Sequence, residues 1–302
     1  MLQVDLKGLL LLCHCKDYST LKIKTMSKLL NTIITFLVMA SLLQACDSTV
    51  SNSSNAHHLN SATMTKETYV LIHSAWLGAW QWDAVKKEME AAGHTVITPD
   101  LPGHGADQTA PKDITMEDYV QTILDVLEQQ SKPVILVGHS FNGITISRVA
   151  ELVPNKIKSL VYLTAFMVPN GVSFVDAVQG VTTSKAVENF YLSEDKTYAL
   201  VKEEAIQAAF AHDIPKAAFD AAKPYIVPEP AAPLMYPLEI TSENWGKLPK
   251  YYIECTEDRA IPIDIQRAMY KGKVEKVFTL ETSHTPNFSN PSGLAKILIS
   301  LN

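Results

Sequence analysis

The sequence predicts an α/β fold in which a mostly parallel, doubly wound sheet of about six strands carries a helical cap insertion. Two patterns after residue 67 support this prediction. Short apolar runs alternate with helix-length amphipathic segments, and the runs are continuously apolar, as in parallel strands buried on both faces. This rhythm breaks from about 167 to 246, where short helical pieces and a proline-rich stretch indicate an insertion over the sheet.

Before the insertion, strands and helices alternate. The run TYVLIH is rich in the β-branched and aromatic residues that strands favour, and the helix that follows it ends at Gly93. In the segment 115–130 the apolar residues recur with the helical period. The predicted strands are 68–73, 95–101, 133–139 and 159–166, and the predicted helices are 81–93, 115–130 and 141–153.

After the insertion the alternation resumes. The predicted strands are 251–257 and 276–281, and the predicted helices are 263–272 and 291–301, the last of them started by Pro291. No internal repeat interrupts the pattern, so residues 67–302 are interpreted as one domain.

The N-terminal part has the pattern of a targeting segment. A short basic start at Met26 precedes the apolar run 29–43 and the sequence Leu-Gln-Ala-Cys, which ends at Cys46. This motif resembles the lipobox of bacterial lipoproteins, which implies a leader over 1–45 and a lipid-anchored protein of the cell envelope, on the periplasmic side or the cell surface. A plain signal peptide or an anchor helix is the alternative, and Met26 is a candidate for the true start. Residues 46–66, rich in Ser and Asn, are interpreted as a flexible tether.

The composition limits which partners, disulfides and cofactors are expected. The net charge is −6, and no basic cluster or aromatic-basic face is present, so nucleic acid is not an expected partner. Of the four cysteines, two lie in the leader and Cys46 would carry lipid, so only Cys255 remains and no intramolecular disulfide is available. Cys255 is expected to be a small buried hydrophobe. No metal or cofactor is expected, and the sequence does not fix the oligomeric state.

Reactive side chains follow several of the predicted strands. Ser140 comes after the third strand in VGHSFNG, and Asp258 and His284 follow the last two strands. Polar groups at the carboxyl ends of parallel strands gather at one edge of the sheet. A serine nucleophile needs a base, and the base needs a carboxylate to orient it, so the three residues predict a catalytic triad.

Each member of this triad has an ordinary alternative. Asp258 lies beside Glu257 and could be a surface turn residue, and Asp100, ahead of LPGHG, is interpreted as a turn or cap residue. His104 is a rival to His284 as the base. The specific evidence for a triad is that all three residues together follow the correct strands.

Three blocks, VLIHSAWLGAWQW, VGHSFNG and YIECTEDRAIP with TSHTP, resemble the α/β-hydrolase superfamily. Within it they are most similar to bacterial relatives of the plant methyl-ester esterases and hydroxynitrile lyases, over about residues 68–301. The resemblance implies an α/β-hydrolase fold. It implies Ser140 as nucleophile, His284 as base, Asp258 as acid, and the backbone N–H groups of Ala75 and Phe141 as the oxyanion hole.

Ser74, Trp76 and His139 are expected to line the substrate pocket. The aromatic loop that contains Trp76, Trp80 and Trp82, together with the insertion, indicates a hydrophobic substrate.

Two positions depart from the family pattern. Ser74 replaces the glycine of the esterases and favours the lyases, but Thr285 stands where a lyase needs a lysine to stabilise departing cyanide. Asn142 replaces a glycine of the G-x-S-x-G elbow, and its role is open. The sequence therefore predicts a serine carboxylesterase for small to medium hydrophobic esters. A lyase-like enzyme and a tethered, non-catalytic binding protein are the alternatives.

Overall fold

The computed structural model describes residues 65–301 of the chain. The predicted leader, the predicted lipidation site Cys46 and nearly all of the predicted tether lie outside the described residues. Within 65–301, no helix is both long and apolar enough to cross a membrane.

Within residues 65–301 the main sheet contains six strands, and all of its neighbouring pairs are parallel. Its strands are β1 (Thr68–Ile72), β2 (Thr95–Ile97), β3 (Val134–His139), β4 (Ile157–Leu163), β8 (Lys250–Cys255) and β9 (Lys276–Leu280). The spatial order is β2-β1-β3-β4-β8-β9. The prediction of a parallel sheet of about six strands is confirmed. Strand β2 is shorter than predicted because Pro99, which has no N–H, cannot continue the ladder.

Helices outside the segment between β4 and β8 cover both faces of this sheet, and further helices lie within that segment. In chain order, all of these helices are α1 (Asp83–Ala91), α2 (Met116–Glu128), α3 (Gly143–Leu152), α4 (Phe174–Val178), α5 (Lys185–Glu188), α6 (Glu203–Phe210), α7 (Lys216–Ala222), α8 (Ala231–Met235), α9 (Ile263–Tyr270), α10 (Pro286–Ser289) and α11 (Pro291–Ile299).

Alternate residues of β1 pack into two separate hydrophobic layers. Tyr69 and Leu71 pack in the layer that includes α1 and α11, whereas Val70 and Ile72 pack in the layer that includes α2 and α3. Because successive side chains of a strand point to opposite faces, this division places a helical layer on each side. The doubly wound arrangement is therefore confirmed. Cys255, at the end of β8, is fully buried, as expected.

Helix α2 begins where the sequence predicts. The Thr115 hydroxyl accepts a hydrogen bond from the Asp118 N–H, and the Asp118 carboxylate accepts one from the Thr115 N–H, which forms a capping box. The apolar face of the helix is buried and includes Tyr119, which reaches toward the site described below.

The segment between β4 and β8 contains more than the predicted helical pieces. Besides helices α4 to α8, it forms a three-stranded antiparallel sheet of β5 (Phe190–Leu192), β6 (Tyr198–Val201) and β7 (Glu229–Pro230). The insertion therefore contains a small antiparallel sheet in addition to the predicted helical pieces. Strands of two to four residues are too short for an alternating pattern to be recognised in a sequence.

Candidate active site

Ser140 occupies the sharp turn that joins β3 to α3. Its φ angle is +59°, in the left-handed region that non-glycine residues rarely adopt. Such strained conformations are concentrated at functional sites. The next residue, Phe141, lies in the first turn of a short 3₁₀ helix that leads into α3, where an N–H has no preceding intrahelical acceptor. The turn thus places a serine hydroxyl next to an available N–H at the carboxyl edge of the sheet.

Two glycines allow this turn, and neither is at position 142. A Cβ atom on Gly138 would lie 2.6 Å from the carbonyl oxygen of Asn142. A Cβ atom on Gly143 would lie 2.4 Å from the carbonyl oxygen of Phe166, because α3 passes close to the chain after β4. The elbow requires glycine at 138 and 143, whereas position 142 accommodates a buried asparagine.

The Asn142 side chain connects the elbow to the loop after β1. Its amide nitrogen donates to the carbonyl oxygen of His73 at 2.7 Å, and its amide oxygen accepts from the Thr145 hydroxyl at 2.6 Å. Asn142 is 1% exposed. The departure from the family motif therefore supplies a buried bridge between two segments of the site.

Ser140, His284 and Asp258 form a continuous hydrogen-bonded chain. His284 Nε2 lies 2.8 Å from Ser140 Oγ, and His284 Nδ1 lies 2.6 Å from Asp258 Oδ2. An ionised carboxylate can only accept, so Nδ1 carries the proton and Nε2 accepts from the serine hydroxyl. The structure therefore brings together the three residues predicted as the triad, in the orientation that a nucleophile, a base and an orienting acid require.

The Asp258 carboxylate is fixed by further donors. Its Oδ1 accepts from the N–H groups of Ala260 at 2.7 Å and Ile261 at 2.9 Å, and its Oδ2 accepts from the Thr164 hydroxyl at 2.5 Å. The carboxylate is buried, and its oxygens accept from three donors, so it is held in place and fixes the imidazole in one orientation.

His139 does not line the substrate cavity, contrary to the prediction. Its ring is fully buried, where Nε2–H donates to the carbonyl oxygen of His284 at 2.8 Å and Nδ1 accepts from the Gln81 amide at 3.2 Å. Burial, together with the neighbouring His284, holds the pKa of His139 well below its ordinary value. The strand end turns this side chain away from the cavity, and a neutral His139 supports the backbone of the candidate base.

The loop after β1 is held on both sides of Ala75. The N–H of Ser74 donates to Gln81 Oε1 at 3.1 Å, and the N–H of Trp76 donates to Glu229 Oε2 at 2.9 Å. Trp76 itself has a φ angle of +63°. The predicted oxyanion donor, the Ala75 N–H, therefore lies in a segment that two buried side chains anchor.

Glu229, which comes from the cap, forms a buried ion pair with His104. Its carboxylate accepts from His104 Nε2 at 2.8 Å, from the Tyr119 hydroxyl at 2.9 Å and from the Trp76 N–H. The other ring nitrogen of His104 donates to the carbonyl oxygen of Pro102 at 3.0 Å, so both nitrogens face acceptors, as in an imidazolium.

Burial and mutual attraction act in opposite directions on the pKa values of this pair. Burial alone would lower the pKa of His104, but the charge and hydrogen bond of Glu229 raise it above the ordinary value. Burial alone would raise the pKa of Glu229, but the charge and hydrogen bond of His104 lower it. Both shifts favour the charged forms, a His104 imidazolium beside a Glu229 carboxylate.

His73 lies beside this pair and remains neutral. Its Nδ1–H donates to the carbonyl oxygen of Ser74 at 2.9 Å, and its Nε2 accepts from the Leu101 N–H at 3.0 Å. Burial and the nearby positive charge of His104 lower the pKa of His73 to about 3.

Asp100 has the structural role that the sequence indicates. Its carboxylate accepts from the N–H groups of Ala79 at 2.6 Å and Ala106 at 3.0 Å, and both contacts stabilise turns. His104, the rival base, pairs with Glu229 and does not contact Ser140. His104, the histidine of the Pro-Gly-His-Gly loop, therefore has a structural role, and His284 is the histidine that contacts Ser140.

An apolar cavity of about 710 Å³, including its open mouth, lies above Ser140 and His284. Ser74, Trp76 and Trp80 line it, as expected, whereas Trp82 is fully buried in the core and does not. Within the described part of the chain, its lining contains no lysine, arginine, aspartate or glutamate. The cavity suits a neutral, hydrophobic molecule.

These features define a hydrolase-type site on a doubly wound sheet. Comparison with known proteins gives the same class: residues 69–297 match the alpha/beta hydrolase family. The chain is 31% identical to Methylesterase 7 of Arabidopsis thaliana over 250 residues, which are 78% of this chain and 96% of the relative. The chain therefore belongs to the alpha/beta hydrolase family.

Solved structures agree with this assignment. A pyrethroid hydrolase from Sphingobium faniae JZ-2 superimposes with a TM-score of 0.71 at 29% identity, covering 78% of this chain and 97% of that one. Polyneuridine aldehyde esterase superimposes with a TM-score of 0.70 at 24% identity over 78% and 99% of the two chains, a likeness of fold alone. The prediction of an enzyme of the carboxylic ester hydrolase class is confirmed.

Sequence reasoning missed several residues that support the site, chiefly Gln81, Thr164 and Glu229. Each has a partner distant in the chain: Gln81 lies 58 positions from His139, Thr164 lies 94 positions from Asp258, and Glu229 lies 153 positions from Trp76. The one available signal was a glutamate within the otherwise apolar stretch VPEPAAPLMYP, which indicates a buried charge with a partner.

Proposed function

We propose that the chain is a serine carboxylesterase that hydrolyses small to medium hydrophobic carboxylic esters through an acyl-enzyme on Ser140. The observation that carries this proposal is the hydrogen-bonded chain from Ser140 through His284 to Asp258 at the floor of an apolar cavity. A binding protein would need only the cavity. It would not need a nucleophile, a base and an acid joined by hydrogen bonds in that order.

The geometry supports the following mechanism. His284 takes the proton of Ser140 as Oγ attacks the ester carbonyl, and Asp258 stabilises the resulting imidazolium. The N–H groups of Ala75 and Phe141 would stabilise the oxyanion, where each donor contributes on the order of 3 kcal/mol. His284 then protonates the departing alcohol, and water, activated by the same histidine, releases the acid from Ser140.

The relatives support ester hydrolysis, since they include a methylesterase and a pyrethroid hydrolase. A lyase reaction has less support. Thr285, in the position of the lysine that a lyase needs, is buried and donates to the carbonyl oxygen of Phe210 at 3.0 Å. The hydroxyl of Ser74, the feature that favours a lyase, lies 3.1 Å from Gln81 Oε1 and is directed toward it.

Mass spectrometry after treatment with an organophosphonate ester tests the nucleophile. We expect one adduct on the peptide that contains Ser140, and no turnover of p-nitrophenyl acetate to octanoate by Ser140→Ala or His284→Ala. Ser242→Ala, a change at an exposed serine, is the matched control and should retain labelling and turnover. Labelling that persists in Ser140→Ala, or no turnover of any ester by the unmodified protein, would refute the proposal.

We also propose that a lipid on Cys46 holds the enzyme in the cell envelope. The Leu-Gln-Ala-Cys motif after an apolar run supports this proposal. In a Gram-negative host grown with an alkyne fatty acid, the full chain should acquire the label and partition with membranes, and Cys46→Ser should do neither. An unlabelled, soluble wild-type protein would contradict the proposal.

A further inference from the structure

Two separate apolar cavities meet at Ser140. The larger, of about 710 Å³, is described above, and the second, of about 370 Å³, is lined mainly by aromatic and aliphatic side chains. Both linings include Ser140, Trp76 and Phe210. A substrate that reacts at Ser140 can therefore extend in two directions from the serine oxygen.

Trp76 and Phe210 form the partition between the two cavities. Their rings contact each other with centroids 5.7 Å apart. The Trp76 indole N–H donates to the carbonyl oxygen of Ala199 at 3.0 Å, and the carbonyl oxygen of Phe210 accepts from the hydroxyls of Ser283 and Thr285, each at 3.0 Å. Trp76 is thus held through its ring and Phe210 through its backbone, with the two rings in contact between the cavities.

The candidate base, His284, and one of the two predicted oxyanion donors, Ala75, border the larger cavity and not the smaller one. In ester cleavage the proton that leaves Ser140 passes through His284 Nε2 to the alkoxy oxygen, so the departing alcohol must lie beside this nitrogen. The acyl chain, bonded to the same carbonyl carbon, then extends on the opposite side.

We infer that the larger cavity binds the alcohol part of the ester and the smaller cavity binds the acyl part. The inference rests on the proposed esterase function. In the first step the bond from Ser140 Oγ to the acyl carbon forms, the bond from that carbon to the alkoxy oxygen breaks, and the alcohol leaves with the serine proton. Since none of the described residues that line either cavity is charged, the preferred substrate is an ester of a bulky, neutral, apolar alcohol with a more compact apolar acid.

Two isomeric esters with the same formula test this assignment. In 2-phenylethyl acetate the aromatic group is on the alcohol, whereas in methyl 3-phenylpropanoate it is on the acid. Both are unconjugated esters of primary alcohols, and their hydroxide-catalysed rates serve as the chemical reference. We expect kcat/KM for 2-phenylethyl acetate to exceed that for its isomer by roughly ten- to a hundredfold, the range that a few apolar carbons contribute in a fitting pocket.

A substitution that fills the larger cavity and one that fills the smaller cavity should change the preference between the two esters in opposite directions. Ile214→Trp narrows the larger cavity and should lower the ratio of the two kcat/KM values at least tenfold, whereas Val178→Trp narrows the smaller cavity and should raise it. Val175→Trp, on the same helix α4 as Val178 but exposed and outside both linings, is the matched control and should leave the ratio as in the wild type.

The outcomes separate this inference from the proposed function. Preference for methyl 3-phenylpropanoate, or a shift of the ratio in the wrong direction by either variant, overturns the cavity assignment but leaves the esterase in place. Turnover of p-nitrophenyl esters with neither isomer hydrolysed also overturns it, because the larger cavity must accept the phenylethyl alcohol. Absence of turnover with every ester refutes the esterase, and the assignment fails with it.

Discussion

Replacing Glu229 by glutamine removes one charge from the cap and leaves its partner in place. The carboxylate is fully buried and accepts hydrogen bonds from His104, Tyr119 and the Trp76 N–H. Glutamine has almost the same shape, but one of its two terminal groups is a donor. Facing the Tyr119 hydroxyl, that group would reverse the direction of this hydrogen bond, and the ion pair with His104 is lost in either orientation.

The expected loss of stability follows from this burial. Removing one member of a buried ion pair costs about 3–5 kcal/mol because the remaining charge has no partner. Glutamine retains one acceptor oxygen, and His104 can release its proton, so we expect about 3 kcal/mol for Glu229→Gln. In a domain of this size that loss corresponds to a decrease in Tm of roughly 6–12 °C.

The effect should depend on pH. The pKa of Glu229 is lowered from 4.5, so its contribution to stability is complete above that value and is lost as the pH falls through the folded-state pKa. The pKa of His104 is raised from 6.5, so its contribution is complete below that value and is lost as the pH rises through the folded-state pKa. The difference between wild type and Glu229→Gln should be greatest between pH 4.5 and 6.5.

Thermal and urea unfolding from pH 4 to pH 9, with kcat for a p-nitrophenyl ester measured in parallel, would test this prediction. Glu239→Gln removes an exposed glutamate of the insertion that pairs with Arg148, and should change stability by less than about 0.5 kcal/mol. A Tm for Glu229→Gln within 2 °C of the wild type at pH 5.5, or a difference that does not vary with pH, would refute the reasoning.

Three further substitutions test the elbow and the acid. Asn142→Gly restores the family motif, yet we expect it to destabilise the protein by about 1–3 kcal/mol in urea unfolding, because the buried carbonyl of His73 loses its donor; unchanged stability would mean that Asn142 is only tolerated. Gly143→Ala should cost about 1–3 kcal/mol and most of kcat, because its Cβ would overlap a backbone oxygen; normal kinetics would show that the elbow can shift. Thr164→Val should lower kcat several-fold with little change in KM, because Asp258 loses a 2.5 Å donor, and rescue by Thr164→Ser would distinguish the hydroxyl from packing.

Much of the fold could be predicted because the core strands are continuous apolar runs. The buried segments around Val70, Leu136 and Ile253 lie in strands of the main sheet, as predicted. The cap could not be predicted in the same way. Its strands are only two to four residues long. Strand β7 (Glu229–Pro230), which pairs with β6, lies some thirty residues further along the chain.

The candidate triad could be predicted because the fold itself determines where strand ends meet. Ser140, Asp258 and His284 follow three strands of one parallel sheet, so their sequence positions were enough to bring them to one edge. His139 could not be assigned in this way. A side chain beside the nucleophile can face the cavity or the core, and only the direction of the strand end decides between them.

The sequence by itself determined the parallel sheet, the three residues that meet at the carboxyl edge of this sheet, and the position of the cap. It did so because burial on both faces and the order of strand ends are local patterns. Only the tertiary structure decided what surrounds those residues: the Asn142 bridge, the Glu229–His104 pair and the two cavities divided by Trp76 and Phe210. These features depend on contacts between segments far apart in the chain, where charge, hydrogen bonding and packing must be satisfied together.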